Sequence, residues 1–141
     1  MPDGLLSMDG FARWVLSAVA PHSDRVPYVR RQAAAVLHLW ELDDLSWPVQ
    51  LLLGELAGNA VRHARTIFNV SLAWDGHVLR GEVTDANPQP PKPRIDPPAD
   101  EPGGRGLLLV AMIADRWGYE GHYHGKTVWF ELKPPQPSAA A

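Results

Sequence analysis

Cysteine is absent from the sequence. Its absence excludes a disulfide framework, thiolate zinc sites and a cysteine nucleophile, and it fits a reducing compartment. An excess of positive charge is missing too: 13 Lys and Arg stand against 16 Asp and Glu, a net charge of −3. Such a balance leaves no basic footprint for nucleic acid or an anionic membrane surface. A small molecule or a protein is the more natural target. Long apolar runs are lacking as well, and no stretch reaches the length that spans a bilayer. FARWVLSAVA, from Phe11 to Ala20, imitates an export signal by ending in Ala18-Val19-Ala20. Asp3 and Asp9 precede it without any Lys or Arg, however, so the basic leader region is missing. The chain reads as cytoplasmic.

What is present suits one globular domain with one core: 141 residues, 45% hydrophobic and 21% charged. Residues 13–19 (RWVLSAV) read as a first strand with Trp14, Leu16 and Ala18 on one side. Ser23 or Asp24 offers a helix cap, with Pro27 tolerated in the first turn. Val29, Ala33, Val36, Leu37 and Trp40 then form an amphipathic helix stripe. Ser46 and Pro48 open a second helix, expected over about 48–64, whose stripe is Val49, Leu52, Leu53, Leu56 and Ala60. Strands follow at Ile67 to Trp74 and Val78 to Thr84, joined at Asp75-Gly76 as a hairpin.

Seven prolines between Pro88 and Pro102 exclude a regular element there. A proline-rich loop of this length suits a lid or binding loop better than packing. Helical periodicity resumes from Gly106 to Trp117, with Gly118 as a C-terminal stop. A further strand is open near Tyr119 to Tyr123, and Thr127 to Leu132 is the last one. The order predicts an α+β two-layer sandwich, its mixed sheet mostly antiparallel, with helices on one face. The domain is expected over residues 11–133, with residues 1–10 and 134–141 as flexible termini.

Polar residues interrupt this pattern in three places. Glu55 and Asn59 lie four apart on the second helix, at the edge of its leucine stripe, with Arg62 and His63 one turn further on. A solvated helix face would explain them equally well. Asp85 ends an apolar strand at the start of the proline loop, where a carboxylate accepts from a ligand amine or merely makes a turn. Gly103, Gly104 and Gly106, with Arg105 among them, stand at a helix start. Backbone N–H groups there can approach an anion, although a flexible hinge would use the same glycines. His122-x-His124 shares one strand face, but no third metal ligand is evident nearby.

Taken in order, these pieces resemble the GHKL, or histidine kinase-like, ATP-binding fold of the Bergerat type. Glu55-x-x-x-Asn59 resembles its N box, Val83-x-Asp85 its G1 box, and Gly104-Arg105-Gly106-Leu107 its G2 box. GKTVWFEL, from Gly125 to Leu132, resembles its closing strand. Within that fold the chain is most similar to the anti-sigma-factor serine/threonine kinases of actinobacterial type, through NAVRHA, GRGLLLV, ADRWG and GKTVWFEL. The resemblance implies ATP and Mg²⁺ as cofactors, with Asn59 on the metal and Glu55 as the base for an attacking hydroxyl. It implies Asp85 on the adenine amine with Thr127 in support, and Gly104, Arg105, Gly106 and Leu107 around the phosphates. Arg62 and His63 would lie near the phosphate end, a structural role for His63 being equally open. Arg30 matches a position that contacts partners in the family.

The G1 box departs from the family pattern, since Asn87 and Pro88 occupy the space where a small residue is usual. A histidine kinase needs a helical hairpin with its acceptor histidine, and gyrase, mismatch-repair and chaperone members need transducer domains. Neither is visible in these residues. The expected activity is therefore transfer of the ATP γ-phosphate to a Ser or Thr of an anti-sigma-factor antagonist protein, with a sigma factor as second partner and homodimers common among relatives. An ATP-dependent interaction module without kinase activity is the competing reading.

Overall fold

The structure, a computed structural model, describes residues 6–8, 10–91 and 106–135. Two strands open it, β1 (Leu6–Met8) and β2 (Phe11–Val19), followed by helices α1 (Arg25–Leu39) and α2 (Ser46–Asn59). A short 3₁₀ turn at Asp43–Leu45 separates the helices, and a π-helical turn, Ala60–Ala64, prolongs α2. The hairpin β3 (Phe68–Trp74) and β4 (Leu79–Asp85) comes next. Beyond the proline-rich segment lie α3 (Gly106–Ile113), β5 (Arg116–His122) and β6 (Gly125–Leu132).

The strands form one sheet in the order β1-β2-β3-β4-β6-β5. The expected mixed character is corrected here: every described pairing is antiparallel. The connection through α3 carries β5 to the sheet edge, and the tight return at His122↔Gly125 inserts β6 beside β4. Strand alternation then gives the sheet two unlike faces. One carries Trp14, Phe68, Val70, Leu72, Leu79, Val83 and Phe130, all buried under the helices. From above, α1 supplies Val29, Ala33, Val36 and Leu37, and α2 supplies Val49, Leu52, Leu53 and Leu56. Each such aliphatic side chain contributes roughly 1.5–3 kcal/mol by leaving water.

Local departures from the expected pattern have identifiable causes. In β2 the register shifts between Leu16 and Val19, and Ala18 takes a left-handed φ of 57°. This bulge reverses side-chain parity, so Val19, not Ala18, turns inward opposite Phe68. Asp24 occupies the cap position of α1, but its side chain makes no capping hydrogen bond. The third helix stops at Ile113 instead of Trp117. Asp115 N–H donates to Glu131 O at 2.9 Å, and Trp117 faces Phe130 across β5 and β6, so sheet pairing outcompetes helical periodicity. Gly118 is accordingly a strand residue: a Cβ there would lie 2.8 Å from the Trp129 ring. The N-terminal segment read as a tail contains β1, which pairs Leu6 with Arg13.

Candidate functional site

On α2, Leu52, Leu53 and Leu56 point into the core, and helix geometry turns Glu55 and Asn59 toward its margin. Both are half-buried. Immediately after Asn59 the backbone widens: Arg65 N–H donates to Ala60 O, five residues back, at 2.8 Å. Arg65 closes the turn with φ 57°. A π turn holds more residues per revolution than an α turn, so side chains four apart lie nearly above one another. Asn59 and His63 thereby border the same cleft.

That cleft measures about 390 Å³, a size usual for small-molecule sites. It lies between the end of α2 and strands β4 and β6. Val83 and Val128 give it an apolar floor, and Asn87, Gln89 and Pro91 bound its outer side. At its inner end stand Asp85 and Lys126, partners in the β4–β6 register and therefore on the same face. Lys126 Nζ lies 3.0 Å from Asp85 Oδ2 and 3.1 Å from Oδ1, with side-chain exposures of 9% and 5%. The same ammonium donates to Asn87 O at 3.1 Å, and Asn87 N–H donates to Asp85 Oδ1 at 2.8 Å. The end of β4, with the two residues that follow it, and the start of β6 thus meet at this one ion pair.

Lys126 was not foreseen from the sequence. The signal was available in GKTVWFEL, because a side chain beside Thr127 must face the other way, but only the register shows which residue meets Asp85. Thr127 is corrected accordingly. Its hydroxyl bonds Thr84 Oγ1 at 2.8 Å and His122 Nε2 at 2.9 Å, on the sheet face away from the cleft. His122 is thus engaged with a threonine, and no group of three potential metal ligands occurs among the described residues.

The other expected residues distribute unevenly. Glu55, one turn before Asn59, has no hydrogen-bond or ion-pair partner among the described residues. The Arg62 guanidinium folds back over Gly58, where a Cβ would lie 2.8 Å from Nη1. Arg30 lies across Gly54 in the same manner, and its Nε is buried without a hydrogen-bond partner among the described residues. Gly104 and Arg105 fall outside the described residues, as does most of the proline-rich loop. Gly106 begins α3, and the Leu107 side chain is committed to the core.

A wider groove of about 610 Å³ lies on the opposite sheet face, beside Phe11, Arg13, Trp74, Arg80 and Arg116. Two of its cations are already spent on neighbours: Arg80 pairs with Glu82 at 2.7 Å and with Glu131 at 3.3 Å, and Arg116 with Glu131 at 3.4 Å. The cleft at Asn59 is the better chemical site. The donors present fit a magnesium-bound nucleotide: a carboxamide suits a hard cation, and polar groups at one end with an apolar floor suit a purine ring.

The comparisons with known proteins bear on the fold and the family. No curated protein matches the sequence. A crystal structure of the RsbU and RsbW domains of Rv1364c from Mycobacterium tuberculosis superposes with a TM-score of 0.63 at 15% identity. The alignment covers 89% of this chain and 33% of that one, so this chain spans about a third of its neighbour's length. Residues 19–132 match the histidine kinase-like ATPase domain. With most of the chain inside that match, the protein belongs to the histidine kinase-like ATPase family.

Proposed function

We propose that the protein binds ATP with Mg²⁺ in the cleft at Asn59 and transfers the γ-phosphate to a serine or threonine of a small antagonist protein, thereby controlling a sigma factor by partner switching. The observation that carries this reading is the placement of Glu55. It is a half-buried carboxylate with no partner among the described residues, one helical turn from the cleft-lining Asn59. A carboxylate at that place, with no donor among the described residues, suits a general base. The family match supplies the nucleotide. The resemblance of NAVRHA and GKTVWFEL to anti-sigma-factor kinases supports the acceptor and the sigma factor.

In this reading Asn59 holds the metal through its side-chain oxygen, and Asp85 meets the adenine amine. By the resemblance, His63 and Arg62 would lie near the phosphate end, and Gly104 and Gly106 would wrap the phosphates with Arg105 nearby. Mg²⁺ supplies charge neutralisation on the phosphates. Glu55 orients the partner's hydroxyl and takes its proton. Phosphoryl transfer is mostly positioning and electrostatics, so these few groups suffice.

Incubation with labelled ATP and candidate antagonist proteins tests the reading. Phosphate should appear on a partner Ser or Thr, and Glu55→Gln should lower the rate about a hundredfold or more while ATP binding persists. Asn59→Ala should weaken ATP binding and remove its Mg²⁺ dependence in calorimetry. Binding without transfer to any partner would leave a nucleotide-dependent interaction module.

A further inference from the structure

We infer that Lys126 reads the base: its ammonium donates to N1 of adenine while the adjoining Asp85 carboxylate accepts from the 6-amino group. The inference rests on the ATP reading above and deepens it, because it assigns the base contact to a pair of residues instead of to Asp85 alone.

The geometry begins with strand parity. Asp85 ends β4 and Lys126 lies opposite it in β6, so both side chains emerge on the helix-side face, at the inner end of the cleft. A buried ion pair adds little net stability, because desolvating both charges offsets most of their attraction. Packing alone therefore does not account for this pair, whereas a cleft that must present a donor next to an acceptor does.

Counting bonds shows what remains for a ligand. An ammonium carries three N–H donors and a carboxylate about four acceptor sites. Lys126 Nζ contacts both Asp85 oxygens, at 3.0 and 3.1 Å, and Asn87 O at 3.1 Å. One N–H shared by the two carboxylate oxygens and one on the carbonyl leave the third available among the described residues. On Asp85, Oδ1 also takes the Asn87 N–H at 2.8 Å, while Oδ2 accepts only from Lys126 among the described residues. A donor and an acceptor 3.0 Å apart thus border the cleft. Val83 and Val128 flank them and can contact the faces of a ring.

Adenine presents the complement, an amino donor on C6 and an acceptor at the neighbouring N1. Guanine presents the reverse, a 6-oxo acceptor beside an N1–H donor. In the pose that suits adenine, guanine would set its carbonyl against the carboxylate and its N–H against the ammonium. A lone carboxylate would discriminate at one position; the pair discriminates at two.

Calorimetry with ATP, GTP and 1-deaza-ATP, which keeps the amine but has carbon in place of N1, separates the possibilities. The unmodified protein should bind 1-deaza-ATP about tenfold or more weakly than ATP, and GTP more weakly still. Lys126→Met should bind ATP and 1-deaza-ATP alike. Equal binding of ATP and 1-deaza-ATP by the unmodified protein would overturn the inference, leaving Lys126 a counter-ion and the ATP reading intact. Failure to bind ATP at all would overturn the ATP reading and this inference with it. The analogue comparison uses the native chain, so instability of the variant does not blunt the test.

Discussion

Strands β4 and β6 carry charge on both faces, and the two groups live in unlike surroundings. On the helix side, Asp85 and Lys126 are nearly enclosed and also bind Asn87. On the outer side, Arg80, Glu82 and Glu131 are more open, with side-chain exposures of 31%, 32% and 19%. The Arg80 guanidinium also lies 4.1 Å from the centre of the Trp129 ring. The same two strands supply both groups, and alternation along them decides which residues meet the core and which meet water. The lesson is energetic. A partly solvated pair can lose a member and let water replace it, whereas an enclosed pair cannot.

The largest effect should come from breaking the enclosed pair. Lys126→Met leaves the Asp85 carboxylate without its cation, which costs roughly 3–5 kcal/mol. Replacing both, Asp85→Leu with Lys126→Met, should recover most of that loss, since no charge then remains to be solvated. Urea unfolding of the two variants checks this. A single-variant loss below about 1 kcal/mol would place the cleft pair among ordinary surface pairs and remove the contrast.

Arg80→Ala sharpens the comparison from the other side. It removes two ion-pair contacts and the stacking on Trp129, yet the expected loss is only about 1 kcal/mol. That loss should shrink further in high salt, because the group is open to screening. Denaturation at low and high ionic strength measures both points.

The smallest effect belongs to the β3–β4 turn, outside either face. Asp75 accepts backbone N–H groups from Val78 at 2.7 Å and His77 at 2.8 Å, and these donors hold its carboxyl below the ordinary 3.8. A depressed carboxyl contributes stability above its unfolded value and loses it as pH falls through the lower folded value. Stability should therefore decline on acidification below about pH 4, and Asp75→Asn should remove that part of the decline. Because the side chain is exposed, the change is small. Unfolding curves of the two proteins through the acid range would show it.

Much of the fold was legible along the chain. The stripe Val29, Ala33, Val36, Leu37 is the buried face of α1, and Asp75-Gly76 is the hairpin turn, with Gly76 at φ 93°. The position of Glu55 and Asn59 at the edge of the core was legible because a carboxylate and a carboxamide beside a leucine stripe conflict with simple burial. Trp117 was misplaced because apolar residues at helical spacing cannot announce that a neighbouring strand has an open edge. Thr127 was misplaced because one residue of register reverses every side chain.

By itself the sequence determined most of the element types, most of the core and the chemistry available at Glu55, Asn59 and Asp85. Those properties depend on local periodicity, turn residues and side-chain identity, all of which are carried within a few residues. Tertiary structure decided that Lys126, 41 positions from Asp85, stands beside it, while Thr127 joins Thr84 and His122 on the far face. It also decided that a π turn follows Asn59. Strand register and helix winding are settled by which packing satisfies the whole sheet and core at once, and no short stretch of sequence holds that information.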